Sequence, residues 1–213
     1  MVFLVVNQVE NNSDNVVKSD GRKARSNASR NKIVKAFLQL ISEGKISPSA
    51  EEVAKISGVG LRTVFRRFNE MELLYRELVP AIEGVFEEKI FEALTENNWQ
   101  AQFNEALIRK CVIYEQSMCY RISIAYHSHH SSFLRGRLEK WQNIEANIHK
   151  YILPFDYATN KVKFDSLQAA TSPDTWIQLR KLHNLTEEQA FDVKESTADM
   201  ILKSFIEVNP PLT

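Results

Sequence analysis

Residues 49–75 read Ser49-Ala50-Glu51-Glu52-Val53-Ala54-Lys55-Ile56-Ser57-Gly58-Val59-Gly60-Leu61-Arg62-Thr63-Val64-Phe65-Arg66-Arg67-Phe68-Asn69-Glu70-Met71-Glu72-Leu73-Leu74-Tyr75. The pattern is a helix, a tight turn, a second short helix and the start of a third. Ser49 is a fitting N-cap, and Glu52 three residues on completes a capping box that satisfies two orphan N–H groups. Val53, Ala54 and Ile56 form a short apolar stripe that ends at Ser57-Gly58, where glycine takes the left-handed conformation that stops a helix. Gly60 eases the re-entry. In the next helix Val64 and Phe68 share a face at spacing four, and Arg62, Arg66 and Arg67 ride with them. Asn69 with Glu72 reads as another cap and box, followed by Leu73, Leu74 and Leu78. A helix-turn-helix lays its second helix in the DNA major groove, which makes this stretch a candidate reading head.

The same stretch, Ser-Gly-Val-Gly-x-x-Thr-Val-Phe-x-x-Phe followed by x-x-x-Glu-Leu-Leu, resembles the N-terminal domain of tetracycline-repressor (TetR) family regulators over about 50 residues. It departs from the usual pattern at four places. Gly60 stands where a Ser often caps the recognition helix, Phe65 where a phosphate-binding Tyr is usual, Arg67 where His is usual, and Met71 where Lys commonly touches the backbone. The resemblance implies that Thr63 and the position of Phe65 face DNA phosphates. Phe65 has no hydroxyl to donate, and Arg66 and Arg67 are the residues that would replace the lost phosphate contacts. Arg62 is the expected base contact, because an arginine fork pairs bidentately with guanine. Thr63, Arg66, Arg67 and the arm residues Arg22 and Arg25 are expected on phosphates, and Ser49 on the same face.

Charge agrees with that placement. The 213 residues sum to zero, yet residues 21–68 hold eleven basic side chains against three acidic ones, a net +8 that leaves −8 for the remainder. A basic unit joined to an acidic one is the footprint of a nucleic-acid reader with a separate sensing module. The two cysteines, Cys111 and Cys119, are eight residues apart in a helical pattern. That spacing is roughly 12 Å along a helix, too far for a disulfide within it. They read as small hydrophobes of a reducing compartment, with a redox switch as the minor alternative. The apolar run Met1–Val6 is too short for a membrane span and lacks the basic start of a signal peptide, so the expectation is a cytoplasmic protein with no membrane partner.

The expected organisation is a disordered arm over 1–25, a three-helix reading domain over 26–75 and a helical effector-binding and dimerisation domain over 76–213. The first helix starts at Ser29, carries Ile33, Val34, Phe37, Leu38 and Ile41 on one face, and closes at Gly44. A long helical pattern runs from Glu70 to about Asn97, with a kink or break expected near Pro80. Helices then span Trp99 to about Tyr126 and Phe133 to Tyr151. A helical stretch from Phe164 to about His183 has a possible restart at Ser172-Pro173, and a capping box at Thr186–Gln189 opens a last helix to about Glu207. Trp176 to Ala190 looks like the final helix pair of TetR-type proteins, which there builds a four-helix dimer interface. No strand-like alternation follows the N-terminal run, so the fold class is all-α: an N-terminal three-helix helix-turn-helix domain and a C-terminal helical bundle.

Aromatic and soft side chains crowd the middle helices, and Phe103, Tyr114, Met118 and Trp141 are the candidates for lining an effector pocket between bundle helices. Each of them is individually better suited to core. His127, His129 and His130 form the one histidine cluster. No Cys or acid sits at a fixed short spacing to complete a zinc site, so no metal and no other cofactor is expected; an anion site beside Arg135 and Arg137 is equally weakly supported. No nucleophile elbow, zinc-protease motif or phosphate loop is present, and an enzyme is not expected. The expected protein is a homodimeric transcription regulator, a repressor by family habit, released from a palindromic operator by a small hydrophobic effector. Two alternatives stay open: a DNA binder whose C-terminal half only dimerises or docks a partner, and a small-molecule-binding α-bundle that keeps the helix-turn-helix as scaffold.

Overall fold

The computed structural model describes residues 21–67 and 71–208, with side chains except at 21–26, 67, 71, 81, 85, 207 and 208. Among the described residues there is no strand, and the helices are α1 (Gly21–Ser42), α2 (Ala50–Ser57), α3 (Leu61–Arg67), α4 (Met71–Ile90), α5 (Trp99–Ser128), α6 (Ser132–Ile152), α7 (Lys161–Ala170), α8 (Pro173–Lys181) and α9 (Glu187–Val208). The chain is all-α, as its periodicity requires. It divides into two compact units: residues up to 89 with 119–135, and residues 90–118 with those from 136 on. This differs from a division at residue 75, because α4 and the C-terminal part of α5 belong to the first unit.

In the first unit α1 begins at Gly21, ahead of the expected Ser29, so residues 21–25 of the supposed arm are helical. The basic stretch Arg22-Lys23-Ala24-Arg25 is made largely of good helix formers, which explains the extension. Ile33, Val34, Phe37, Leu38 and Ile41 are buried, on the face their spacing marks out. Gly44, at φ 94°, closes α1. Lys45 N–H reaches back to the Leu40 carbonyl and Gly44 N–H to that of Ile41, the two bonds of a Schellman motif. The α2 capping box forms with both bonds: Glu52 N–H to Ser49 Oγ at 3.2 Å, and Ser49 N–H to Glu52 Oε2 at 2.9 Å. Lys45 adds an ion pair to Glu52 at 2.7 Å. That ammonium, then the Ser49 N–H, hold the Glu52 carboxyl below its ordinary value. Gly58 ends α2 at φ 65°, and its N–H bonds the Ala54 carbonyl. The second cap proposed at Asn69 lies outside the described residues.

Helix α4 runs without a break through Pro80, contrary to the expected interruption. Pro80 is exposed, so its ring lies on the solvent side of the helix. Leu74, Tyr75, Leu78, Val79 and Ile82 are buried beneath it. Tyr75 is the polar tie of this unit. Its hydroxyl lies 2.5 Å from Ser123 Oγ on α5, and Ser123 in turn bonds the Ile46 carbonyl at 2.6 Å. A serine hydroxyl has one proton, which goes to the carbonyl, so Tyr75 is the donor to Ser123. Burial pushes the Tyr75 phenol up to about 12. Its ring meets Phe37 of α1 edge-on, with centroids 5.5 Å apart.

Helix α4 stops at Ile90, where the second unit begins, rather than continuing toward Asn97. Arg109 of α5 donates to the Glu92 and Ala93 carbonyls. Glu105 accepts the N–H groups of Thr95, at 2.8 Å, and Glu96, at 3.3 Å. Asn98 then caps α5 by accepting the Ala101 N–H at 2.9 Å. The core gathers Phe103, Leu107, Phe164, Leu167, Trp176 and Phe205. Glu115 of α5 accepts from Trp176 Nε1, Arg180 Nε and Arg180 Nη2, each at 2.9 Å, fixing α8. Ser172 caps α8 with Pro173 in its first turn, and Thr186 with Gln189 forms the expected box at α9.

Ser123→Ala strands the Tyr75 hydroxyl and takes one of two donors from the Ile46 carbonyl, which His127 also bonds, and should lower stability by about 2 kcal/mol, whereas Tyr75→Phe leaves the Ser123–Ile46 bond intact and should cost about 1 kcal/mol by hydrogen-bond loss; urea unfolding of the two variants checks the order. Arg180 first, and then the Trp176 N–H, depress the Glu115 carboxyl below its ordinary value. A depressed acid contributes stability above its unfolded pKa that is lost as pH falls through the folded one, so the contribution should fade below about pH 4. Glu115→Gln should therefore narrow the gap between urea midpoints at pH 7 and pH 3.

Candidate functional site

Helix α3 owes its placement to its two ends and one side chain. The Gly60 carbonyl accepts from the N–H of Thr63 at 2.7 Å and of Val64 at 3.2 Å, starting the helix one residue beyond the turn. Val64 is 2% exposed and anchors one side. The remaining positions look outward: Arg62 and Arg66 are exposed, Phe65 is 48% exposed, and Thr63 is half-buried. Arg62 and Arg66, four apart, share one face with Phe65 beside them. Among the described residues neither arginine enters an ion pair. Ser49 is exposed, with its hydroxyl oxygen accepting the Glu52 N–H in the α2 cap, a role that leaves the O–H proton available to donate. The side chains of Arg22, Arg25, Arg67 and Met71 lie outside those described.

The second unit holds a cavity of about 550 Å³ bounded by residues 90–94, α5 and α6. Its wall is mainly aliphatic, with Ile90, Leu94, Ile113, Ile144, Ile148 and Ile152, and its polar side chains include Gln102, Arg109, Lys110 and Asn147. None of the sequence candidates lines it. Phe103 and Tyr114 are buried in the core of that unit, Met118 is also buried, and Trp141 is half-buried on α6. Aromatic richness marked the packed interior; the cavity is bounded by branched aliphatics and small Ala106. The recoverable signal was the spacing of Ala106, Lys110 and Ile113 on α5 and of Ile144, Ile148 and Tyr151 on α6, a helical stripe on each.

Behind the cavity wall lies a buried polar cluster. Lys110 Nζ is 3.3 Å from His149 Nε2 and 3.5 Å from Thr171 Oγ1, and Thr171 Oγ1 is 3.3 Å from the same His149 nitrogen. Lys194, 1% exposed, donates to the carbonyls of Thr171 at 3.0 Å and Ser172 at 2.8 Å. Burial, and then the Lys110 and Lys194 charges, hold the His149 imidazole well below its ordinary pKa, so it is neutral. Burial pushes the Cys111 thiol up against the opposing pull of the same two lysines, which leaves it unreactive.

The three histidines differ in their surroundings. His127 is half-buried, its ring 5.1 Å from Tyr75 and 5.0 Å from Tyr126, and burial lowers its pKa. His129 and His130 are exposed. Among the described residues no group of three or more His, Cys, Asp or Glu side chains is placed to hold a metal ion. No helix of the described residues is long and apolar enough to cross a membrane. The chain matches no family model, no curated protein and no solved structure.

Because Arg62 and Arg66 are exposed and Val64 is not, their substitutions should separate surface from scaffold. The Arg62→Ala, Arg66→Ala double variant should unfold within about 0.5 kcal/mol of the parent, as surface changes do. Val64→Ala should cost about 2 kcal/mol through a buried cavity, and thermal unfolding of both measures the contrast.

Proposed function

We propose that the protein is a sequence-reading DNA-binding transcription regulator of the TetR type, a homodimer whose α2 and α3 form a helix-turn-helix. The observation that carries this is the exposed Arg62–Phe65–Arg66 face of α3, held opposite the buried Val64 after the left-handed turn at Gly58. The net +8 of residues 21–68 supports it, since basic charge concentrated on one segment supplies the salt-dependent attraction to phosphates. Arg62 reads a base edge, and Thr63 and Arg66 hold phosphates, which position the helix without specifying sequence. Phe65 cannot donate to a phosphate; its exposed ring is suited to apolar contact with a thymine methyl.

The cavity of the second unit receives a small-molecule effector. Such a ligand weakens DNA binding by preferring one dimer geometry over the other, and repression relieved by the effector is the expected direction. The cavity also favours a second function, that of a small-molecule-binding α-bundle in which the helix-turn-helix is only scaffold; Phe65, lacking the hydroxyl usual at that position, is consistent with it. Fluorescence anisotropy against a duplex bearing the preferred site distinguishes the two. For the regulator, Arg62→Ala flattens the preference for one base position, while Arg66→Ala weakens all sequences alike and lowers the log-affinity slope against log salt by about one. For the scaffold, neither variant changes anything, because there is no binding to lose.

A further inference from the structure

The cavity of the second unit is lined by charged side chains whose charges are spent elsewhere. Glu92, Arg109 and Lys110 are the three. Arg109 is bound by Glu105 at 2.8 Å and donates to the Glu92 and Ala93 carbonyls. Lys110 sets its ammonium 3.3 Å from His149, 3.5 Å from Thr171 and 5.9 Å from the ring of Tyr114, none of which lines the cavity. What Lys110 gives to the wall is therefore its methylene stem. Glu92 is exposed, so its carboxylate is solvated. An ion that left water for this space would lose its hydration and meet no unspent counter-charge, a cost that an uncharged molecule avoids.

The rest of the wall divides by polarity. Ala106, Ile113 and Ile152 are at most 7% exposed and form its buried, aliphatic part. The uncharged polar side chains are Gln102, half-buried, and Asn147 and Tyr151, both exposed. Asn147 and Tyr151 are four apart on α6 and share a face. Gln102 donates one N–H to the Glu96 carbonyl at 2.9 Å, which leaves its oxygen and its second N–H. A carboxamide both donates and accepts, so it suits a hydroxyl or a carbonyl group rather than a formal charge. The volume of about 550 Å³ lies within the range of small-ligand pockets. We propose that the cavity binds an uncharged molecule with an aliphatic chain and one hydroxyl or carbonyl group, the chain against Ala106, Ile113 and Ile152 and the polar group toward Gln102 and Asn147. This deepens the effector reading above, on which it rests for its regulatory consequence alone.

The test is calorimetric titration of the 213-residue protein, without DNA, with 1-octanol, 1-nonanol, 1-decanol, decanoate and decylammonium below their solubility and micelle limits. 1-Decanol should bind roughly tenfold or more tighter than either ion, and each added methylene should tighten the alcohol series about fourfold. Ala106→Trp, which fills the buried part, should weaken all three alcohols together. Asn147→Asp is isosteric at an exposed position and keeps the fold. It places a carboxylate at the polar end, so it should tighten decylammonium and narrow the preference for 1-decanol over that cation. An ion bound as tightly as 1-decanol, no binding of any alcohol, or no gain along the alcohol series would overturn the proposal. So would an unchanged alcohol affinity in folded Ala106→Trp or, should that variant not fold, an unchanged preference in Asn147→Asp. Because no DNA is present, failure of the alcohols to bind leaves the reading of DNA by α3 standing. An alcohol that binds as described and leaves DNA affinity untouched refutes the gating and spares the site.

Discussion

Helix α3 has seven residues, fewer than an isolated helix needs to persist in water. Whatever it presents to a partner is therefore set by the contacts that hold it from outside. Those are few: the left-handed Gly58 that turns the chain, the Gly60 carbonyl that takes its first N–H groups, and the burial of Val64. The loop before α2 is fixed in its turn by the Ile46 carbonyl, the last acceptor in the chain of hydroxyls from Tyr75 through Ser123. The arginine face is thus a product of the unit's interior. Arg62 and Arg66 themselves contribute nothing to holding it, and so are at liberty to serve a partner.

The second unit solves a different problem, that of charge inside a core. A buried ammonium is costly unless its donors are met. Lys194 meets that cost with the carbonyls at the C-terminal end of α7, where the helix dipole is negative, and with the faces of Tyr114 and Trp176 at 4.7 and 5.6 Å. Its position joins α9 to the α7–α8 corner, and Lys163 of α7 bonds the Ser204 carbonyl of α9 at 2.7 Å at another point of the same contact. Glu115 does the equivalent for α8, with a carboxylate fully engaged by Arg180 and the Trp176 N–H. This fixed polar frame surrounds a wall of branched aliphatics, and the space they fail to fill is the cavity.

What could be read from the sequence was what neighbouring residues decide among themselves. The capping boxes at Ser49 and Thr186, the Gly44 and Gly58 stops and the Ser172-Pro173 start depend on groups within five residues of one another, and each of these formed. What could not be read was decided at a distance. The end of α4 is set by Glu105 and Arg109, which lie on the next helix. Pro80 is tolerated because its side of α4 faces solvent, a property of packing rather than of proline. The candidate surface on α3 was legible, because exposure of Arg62 and Arg66 follows from the burial of Val64. The ligand site was not: aromatic residues such as Phe103 and Tyr114 fill space well and went to the core, while a cavity is defined by atoms that are missing, and no residue type signals those.

Selection of duplexes from a random-sequence library by the 213-residue protein asks whether α3 reads DNA sequence, as proposed. A dimeric reader should enrich an inverted repeat whose half-sites are centred about one or two helical turns apart, as two-fold symmetry requires. Binding without any enriched sequence, or no binding even at low salt, would contradict it.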